Sequence, residues 1–106
     1  MTDIILFYST APNETAAQAL AKKLVEADAA ACVNILPRVR SVYRWRGATE
    51  ESSEVAMIIK ANATRADDVK TIVLDAHPYD NPALIALRVD RERSSEKFCA
   101  WIENPD

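Results

Sequence analysis

The segment from Cys32 to Lys60 constrains this chain more than any other. Two runs of period-two alternation flank the short stretch Trp45-Arg46-Gly47-Ala48. On the first arm Val39, Ser41, Tyr43 and Trp45 fall on one face, with Arg40, Val42, Arg44 and Arg46 on the other. On the second arm Val55, Met57 and Ile59 share a face, opposite Ala56, Ile58 and Lys60. Alternation of this kind, in β-branched and aromatic residues, marks strands. Gly47 is the only glycine in the chain, and it stands where a tight turn needs positive φ. A long β-hairpin is therefore predicted. Arg40, Arg44 and Arg46 are expected to face Glu50, Glu51 and Glu54, either as cross-strand pairs adding ~0.2–1 kcal/mol each or as a solvated charged surface.

The length of this hairpin has consequences. Arms of on the order of 13 to 15 residues span roughly 43–50 Å at ~3.3 Å per residue. A single domain of this size is only roughly 34 Å across. The tip, with Val42, Tyr43 and Trp45, should project past its own globule, and an isolated two-stranded ribbon is marginal in water. Shelter on further copies of the chain resolves the conflict, so a closed homo-oligomer is predicted.

The remaining elements follow from pattern. Ile4-Ile5-Leu6-Phe7-Tyr8 reads as a buried strand within Asp3 to Thr10. A helix then starts near Pro12, with Asn13 or Thr10 as its cap and Ala17, Leu20, Ala21, Leu24 and Ala27 as its apolar stripe. Pro37 cannot donate to a ladder and marks a bulge, bend or edge in the first hairpin arm. Thr64 and Asp67 suggest a capping box before a second helix with Val69, Ile72, Val73 and Ala76 inward, ended by His77-Pro78. Leu84 to Val89 is a fourth strand and Asp90 to Arg93 an exposed charged turn. Ser94 or Ser95 caps a last helix with Phe98, Trp101 and Ile102 on one face. The order β-α-β-β-α-β plus a C-terminal helix is the ferredoxin-like α+β arrangement, an antiparallel four-stranded sheet with two helices on one face. One domain, residues 1–106, is expected at this length.

Composition excludes several function classes. With 13 basic and 16 acidic residues the net charge is −3, which argues against a nucleic-acid binder. Paired sheet-face aromatics of the RNA-recognition kind are also missing. No apolar run reaches the ~18 residues of a membrane span, and the N-terminus lacks a secretory signal pattern. A cytoplasmic setting with Cys32 and Cys99 as free thiols is expected. A lone glycine rules out a Gly-rich phosphate cradle or dinucleotide fingerprint, and no nucleophile elbow is present. No enzyme is predicted.

Ser9-Thr10-Ala11-Pro12, Ala30-Ala31-Cys32-Val33-Asn34, Ser41-Val42-Tyr43-Arg44-Trp45-Arg46-Gly47, Glu50 with Glu54, Ile58-Ile59-Lys60 and His77-Pro78-Tyr79 resemble, in order and spacing, the CutA divalent-cation tolerance proteins. The resemblance covers nearly the whole chain. It implies a ferredoxin-like fold, a homotrimer locked by long hairpins and similar to the PII signalling proteins, and a link to tolerance of copper and other divalent metals. In some bacterial members a cysteine stands at the place of Ser9 and a second histidine at that of Ala76. With the histidine matching His77 these are the usual copper-ligand candidates, and here only His77 remains.

Two groups of candidate residues result. His77, the only histidine, and Cys32 are the candidate ligands for copper or another divalent cation, bound weakly, since imidazole and thiolate select such metals. The alternatives are a helix-terminal histidine satisfying a carbonyl and a small buried cysteine. Tyr43, Trp45, Glu50, Glu54, Lys60 and Tyr79 are candidates for an inter-subunit pocket taking a small anion or metabolite, with Lys60 paired to Glu54 or to a neighbour's carboxylate. The alternative is a polar seam that sets oligomer register. Arg38, Arg40, Arg44 and Arg46 leave open a PII-like module binding a nucleotide or small anion in the same clefts.

Overall fold

The computed structural model describes residues 2–105. Its elements are β1 (Ile4–Ala11), α1 (Glu14–Glu26), β2 (Cys32–Trp45), β3 (Ala48–Asn62), α2 (Ala66–Ala76), β4 (Leu84–Arg88) and α3 (Glu96–Glu103). One 3-10 turn, Ala63–Arg65, leads into α2. All pairings are antiparallel and the strand order is β2-β3-β1-β4. This is the ferredoxin-like α+β fold anticipated from the element order.

Alternation along the strands divides the sheet into two unlike faces. Phe7 and Ala11 of β1 and Val55, Met57, Ile59 and Ala61 of β3 point to the helices. They form the main core with Ala17, Leu20 and Leu24 of α1 and Val69 and Val73 of α2. The opposite face is largely open. Tyr8, Leu36, Ile85 and Leu87 on it are all more than a third exposed. Its end near Ile4 is covered by α3, whose Cys99 and Ile102 close a second small cluster with Ile4, Ala31 and Val89.

The hairpin is as long as its sequence implies. Arg46 (φ 49) and Gly47 (φ 82) both have positive φ and form a two-residue turn between the paired Trp45 and Ala48. Mirror-image turns of this kind match the twist of the strands they join. The molecule measures 46 × 28 × 22 Å. β1 stops pairing with β3 at Ala11 and Val55, so everything beyond is a two-stranded ribbon. Its distal residues, 42 to 51, are exposed throughout.

Pro37 marks a bulge on an edge strand, for β2 lies at the sheet's margin. Leu36 pairs with Ala56 and Val39 with Glu54, so β2 spends one residue more than β3 between these pairs. Arg38 takes φ 61 there, the left-handed conformation that such a bulge needs and that glycine usually supplies.

Other expectations need correcting. The arginines do not oppose the glutamates: Glu50, Glu51 and Glu54 lie across from Tyr43, Val42 and Val39. Only the diagonal Arg40–Glu51 pair forms, at 3.3 Å and well exposed. Asn62, not Thr64, opens the second helical segment, its Oδ1 accepting from the Thr64 amide at 3.0 Å. Asn13 does cap α1, accepting from the Ala16 amide at 2.8 Å. In α3 the buried pair is Cys99 and Ile102, while Phe98 and Trp101 stack on each other at the surface. Ala76 and Ala27 lie outside the buried stripes.

Candidate functional site

The bulge decides which residues of the ribbon share a face. On the sheet side of it, Cys32, Asn34 and Leu36 pair with Lys60, Ile58 and Ala56 on the open face. Past it, the parity of β2 changes, so Val39, Ser41, Tyr43 and Trp45 continue that same face opposite Glu54, Ser52, Glu50 and Ala48. Five candidate pocket residues, Tyr43, Trp45, Glu50, Glu54 and Lys60, are therefore coplanar with Cys32 on the uncovered side of the sheet.

They are not clustered within one chain. Lys60 and Glu50 are ten residues apart on β3, roughly 33 Å at ~3.3 Å per residue. Lys60 does not reach Glu54. Its ammonium sits 5.1 Å from the centre of the Phe98 ring, beside α3. Trp45, at the far end, is 54% exposed, with the guanidinium of Arg46 5.6 Å from its ring centre.

The residues that do converge are Glu54, Tyr79 and Tyr43. The Tyr79 hydroxyl donates to the Glu54 carboxylate at 2.9 Å. Loss of water around the phenol, followed by the bond to Glu54 and that carboxylate's charge, pushes the Tyr79 hydroxyl up to about 12; the neighbouring Tyr43 acts in the same direction. The phenol therefore remains a neutral donor throughout the physiological range.

Tyr79 is held there by His77. The imidazole is buried at the C-terminal end of α2. Its Nδ1 accepts the Tyr79 backbone N–H at 3.1 Å, and its Nε2 lies 2.6 Å from the Thr10 carbonyl oxygen. An accepting Nδ1 assigns the proton to Nε2, which then donates to Thr10. The two rings are tilted at 47° with centres 4.9 Å apart. At the other end of the loop, the buried Ser9 hydroxyl donates to the Ala83 carbonyl at 2.6 Å. Neighbouring residues of β1 thus pin both ends of the loop that presents Tyr79.

Both ring nitrogens of His77 are engaged, so a metal at Nδ1 would first have to displace the Tyr79 amide. Cys32 is half-buried beside Lys60 and is a free thiol. Among the described residues no group of three or more His, Cys, Asp or Glu side chains is placed to hold a metal ion. A polar cavity of about 390 Å³ lies elsewhere, among Asp28, Asn62, Arg65 and Glu103, and none of the candidate residues lines it.

Sequence reasoning missed Ser9 and Thr10 as anchors, because the first bonds through its hydroxyl and the second through its backbone to distant loop residues. It also missed Arg91. Placed in a turn read as exposed, Arg91 is in fact mostly buried, its side chain 14% accessible. It binds Glu96 at 2.8 Å and Glu103 at 2.9 Å, and donates to the Thr2 carbonyl.

Comparison with known proteins agrees with this architecture. The family model described as CutA1 divalent ion tolerance protein matches residues 5–105. The chain is 42% identical over 102 residues to the divalent-cation tolerance protein CutA of Pectobacterium atrosepticum, covering 96% of this chain and 91% of that one. The crystal structure of CutA1 from Ehrlichia chaffeensis superposes with a TM-score of 0.91 at 30% identity, over 98% of this chain and 95% of that one. A protein of Archaeoglobus fulgidus described as the periplasmic divalent cation tolerance protein CutA gives 0.88 at 35% identity, over 94% and 95% of the two chains. With the sequence matched nearly end to end and the same four-stranded fold beneath it, the chain belongs to the CutA1 divalent ion tolerance family.

Proposed function

We propose that this protein serves divalent-cation tolerance without catalysis, as a cytoplasmic homotrimer that binds copper or another divalent cation weakly and reversibly. The observation that carries the reading is the family match over residues 5–105. The open sheet face supports the trimer. It exposes Tyr8, Leu36, Ile85 and Leu87 and continues onto the projecting ribbon through Tyr43 and Trp45, and an exposed apolar patch of this kind marks an interaction surface.

The donor set supports weak metal binding over a tight cage. Of the two soft candidates, Cys32 lies on the open face, where sister chains would bring further ligands, whereas His77 is buried and doubly bonded. Imidazole and thiolate suit copper, but a single donor per chain gives no chelate. Copper titration of the purified protein, of Cys32→Ser and of His77→Ala tests this, with a native mass spectrum giving copy number. Loss of binding in Cys32→Ser with binding kept in His77→Ala is the expected pattern. Equal binding in all three removes both residues from the proposal, and a single-chain mass removes the trimer.

A second reading rests on the ribbon's cations. Arg40 is paired with Glu51 and Arg46 lies over Trp45, while among the described residues no ion pair holds Arg38 or Arg44. This supports a PII-like module taking a nucleotide or small anion in an inter-subunit cleft along the ribbon. Thermal-shift screening with nucleotides and organic acids separates the two readings, since a ligand selective for the native state raises apparent stability.

A further inference from the structure

We propose that α3 is a lid that opens as a unit on the otherwise intact fold, with Arg91 as its fastener. Two independent features carry this. First, the lid's apolar hold is separate from the main core. Cys99 and Ile102 touch Ile4, Ala31 and Val89, and none of these five belongs to the cluster that joins α1 and α2 to the sheet. A helix of eight residues has no stability of its own in water, so it persists only while docked.

Second, the remaining hold is mostly polar and its ion pairs centre on one guanidinium, with Lys60 of β3 adding a cation–π contact to Phe98. Arg91 binds Glu96 in the first turn of α3 and Glu103 in its last turn. The same guanidinium donates to the carbonyl of Thr2, just ahead of β1. Glu103 also accepts the Thr2 amide at 3.1 Å, and its carbonyl accepts from Asn62 at 3.2 Å. One side chain thus ties both ends of the helix to the start of β1. Regions with few apolar anchors are those that open below the global unfolding free energy.

Opening would bare Ile4, Ala31 and Val89, enlarging the apolar face of the sheet at the end that carries Cys32. It would also expose Cys99, which is 3% accessible in the closed form. The lid therefore gates both an apolar surface and the reactivity of one of the chain's two thiols.

Thiol labelling with an aromatic disulfide reagent on the full chain tests this. Cys32→Ser leaves Cys99 as the single thiol. A second protein, Cys32→Ser with Cys99→Ser and Ala17→Cys, puts a thiol in the main core, where Ala17 is wholly buried. Cys99 is expected to label at least about tenfold faster than the Ala17 reporter and with a smaller denaturant dependence, as sub-global opening requires. Arg91→Gln should speed Cys99 labelling by on the order of tenfold, the effect of losing charge-assisted bonds, and leave the Ala17 reporter unchanged. Equal rates and equal denaturant slopes at both thiols would overturn the lid. Equal acceleration of both by Arg91→Gln would overturn its role as fastener. Amide hydrogen exchange on the unaltered protein compares α3 with α1 directly and decides the matter should the Ala17→Cys protein not fold.

Discussion

Tyr79 donates its hydroxyl to Glu54 at 2.9 Å, bridging the loop after α2 to the first stretch of the ribbon that β1 no longer supports. The phenol is pushed up to about 12, chiefly by lost hydration and then by the bond to Glu54. A raised value means that folding favours the protonated phenol. Its contribution to stability is complete below the ordinary value of 10 and lost as the pH climbs through about 12. Spectrophotometric titration should show one of the three tyrosines ionising near 12, and Tyr79→Phe should abolish that component. If the late component persists in the variant, the assignment is wrong.

His77 is expected to act first as a clamp. Truncation to alanine leaves the Thr10 carbonyl and the Tyr79 amide without their partner at a buried position. Leaving a buried donor or acceptor unmade costs about 1–3 kcal/mol. Urea denaturation of His77→Ala should show a loss in that range, and Ser9→Ala, which frees the Ala83 carbonyl at the loop's other end, a smaller one. A neutral His77→Ala would mean that the loop relaxes and satisfies both groups itself.

Much of this architecture was legible because it is local. Period-two alternation and the lone glycine placed the hairpin and its turn, since strand pleat and positive φ are properties of a few adjacent residues. The charge pairing was misread for a reason that the turn itself contains. With two turn residues, Arg46 and Gly47, even-numbered residues of β2 between the turn and the bulge oppose odd-numbered ones of β3, so Arg40 and Arg44 face Ser53 and Thr49. Pro37 announced an irregularity, but not that it would carry Tyr43 and Trp45 onto the face of Lys60 and Cys32. The face of α3 was undecidable by period, because Phe98 with Trp101 and Cys99 with Ile102 are equally good stripes. Arg91 was hidden for a different reason: burial of a charge depends on partners, here Glu96 and Glu103, that no local pattern pairs with it.

Two backbone sites at positive φ should respond in opposite directions when one gains a Cβ and the other loses it. Nothing lies within 4 Å of a Cβ built on Gly47, so Gly47→Ala tests its φ of 82 alone. Left-handed backbone costs a residue with Cβ roughly 1–2 kcal/mol, partly offset by a stiffer unfolded chain. A net loss of about 1 kcal/mol is expected by chemical denaturation. Arg38 already bears this strain at φ 61, so Arg38→Gly should be neutral or stabilise by up to ~1 kcal/mol despite the entropy of the added glycine. Destabilisation by Arg38→Gly would show that the guanidinium, and not the backbone, matters at the bulge.

Acid should release α3 before the rest of the fold. Hydrogen bonding from Arg91 holds the Glu96 carboxyl below its ordinary value of 4.5. The Thr2 backbone amide, then Arg91, does the same for Glu103. Arg91 from the preceding turn is a cation facing both carboxylates, the N-terminal amino charge also lowers both, and Lys60 of β3 lies against the helix's Phe98. Lowered values mean that folding favours the ionised carboxylates. Their support is complete above 4.5 and disappears as the pH falls through the folded values. Hydrogen exchange followed from neutral pH downward should show α3 amides losing protection below about 4.5 while α1 and α2 amides keep theirs. Simultaneous loss in all three helices would mean that the carboxylates of Glu96 and Glu103 stabilise the whole domain and not one helix. In Arg91→Gln, α3 should already be poorly protected at neutral pH, with little further change on acidification.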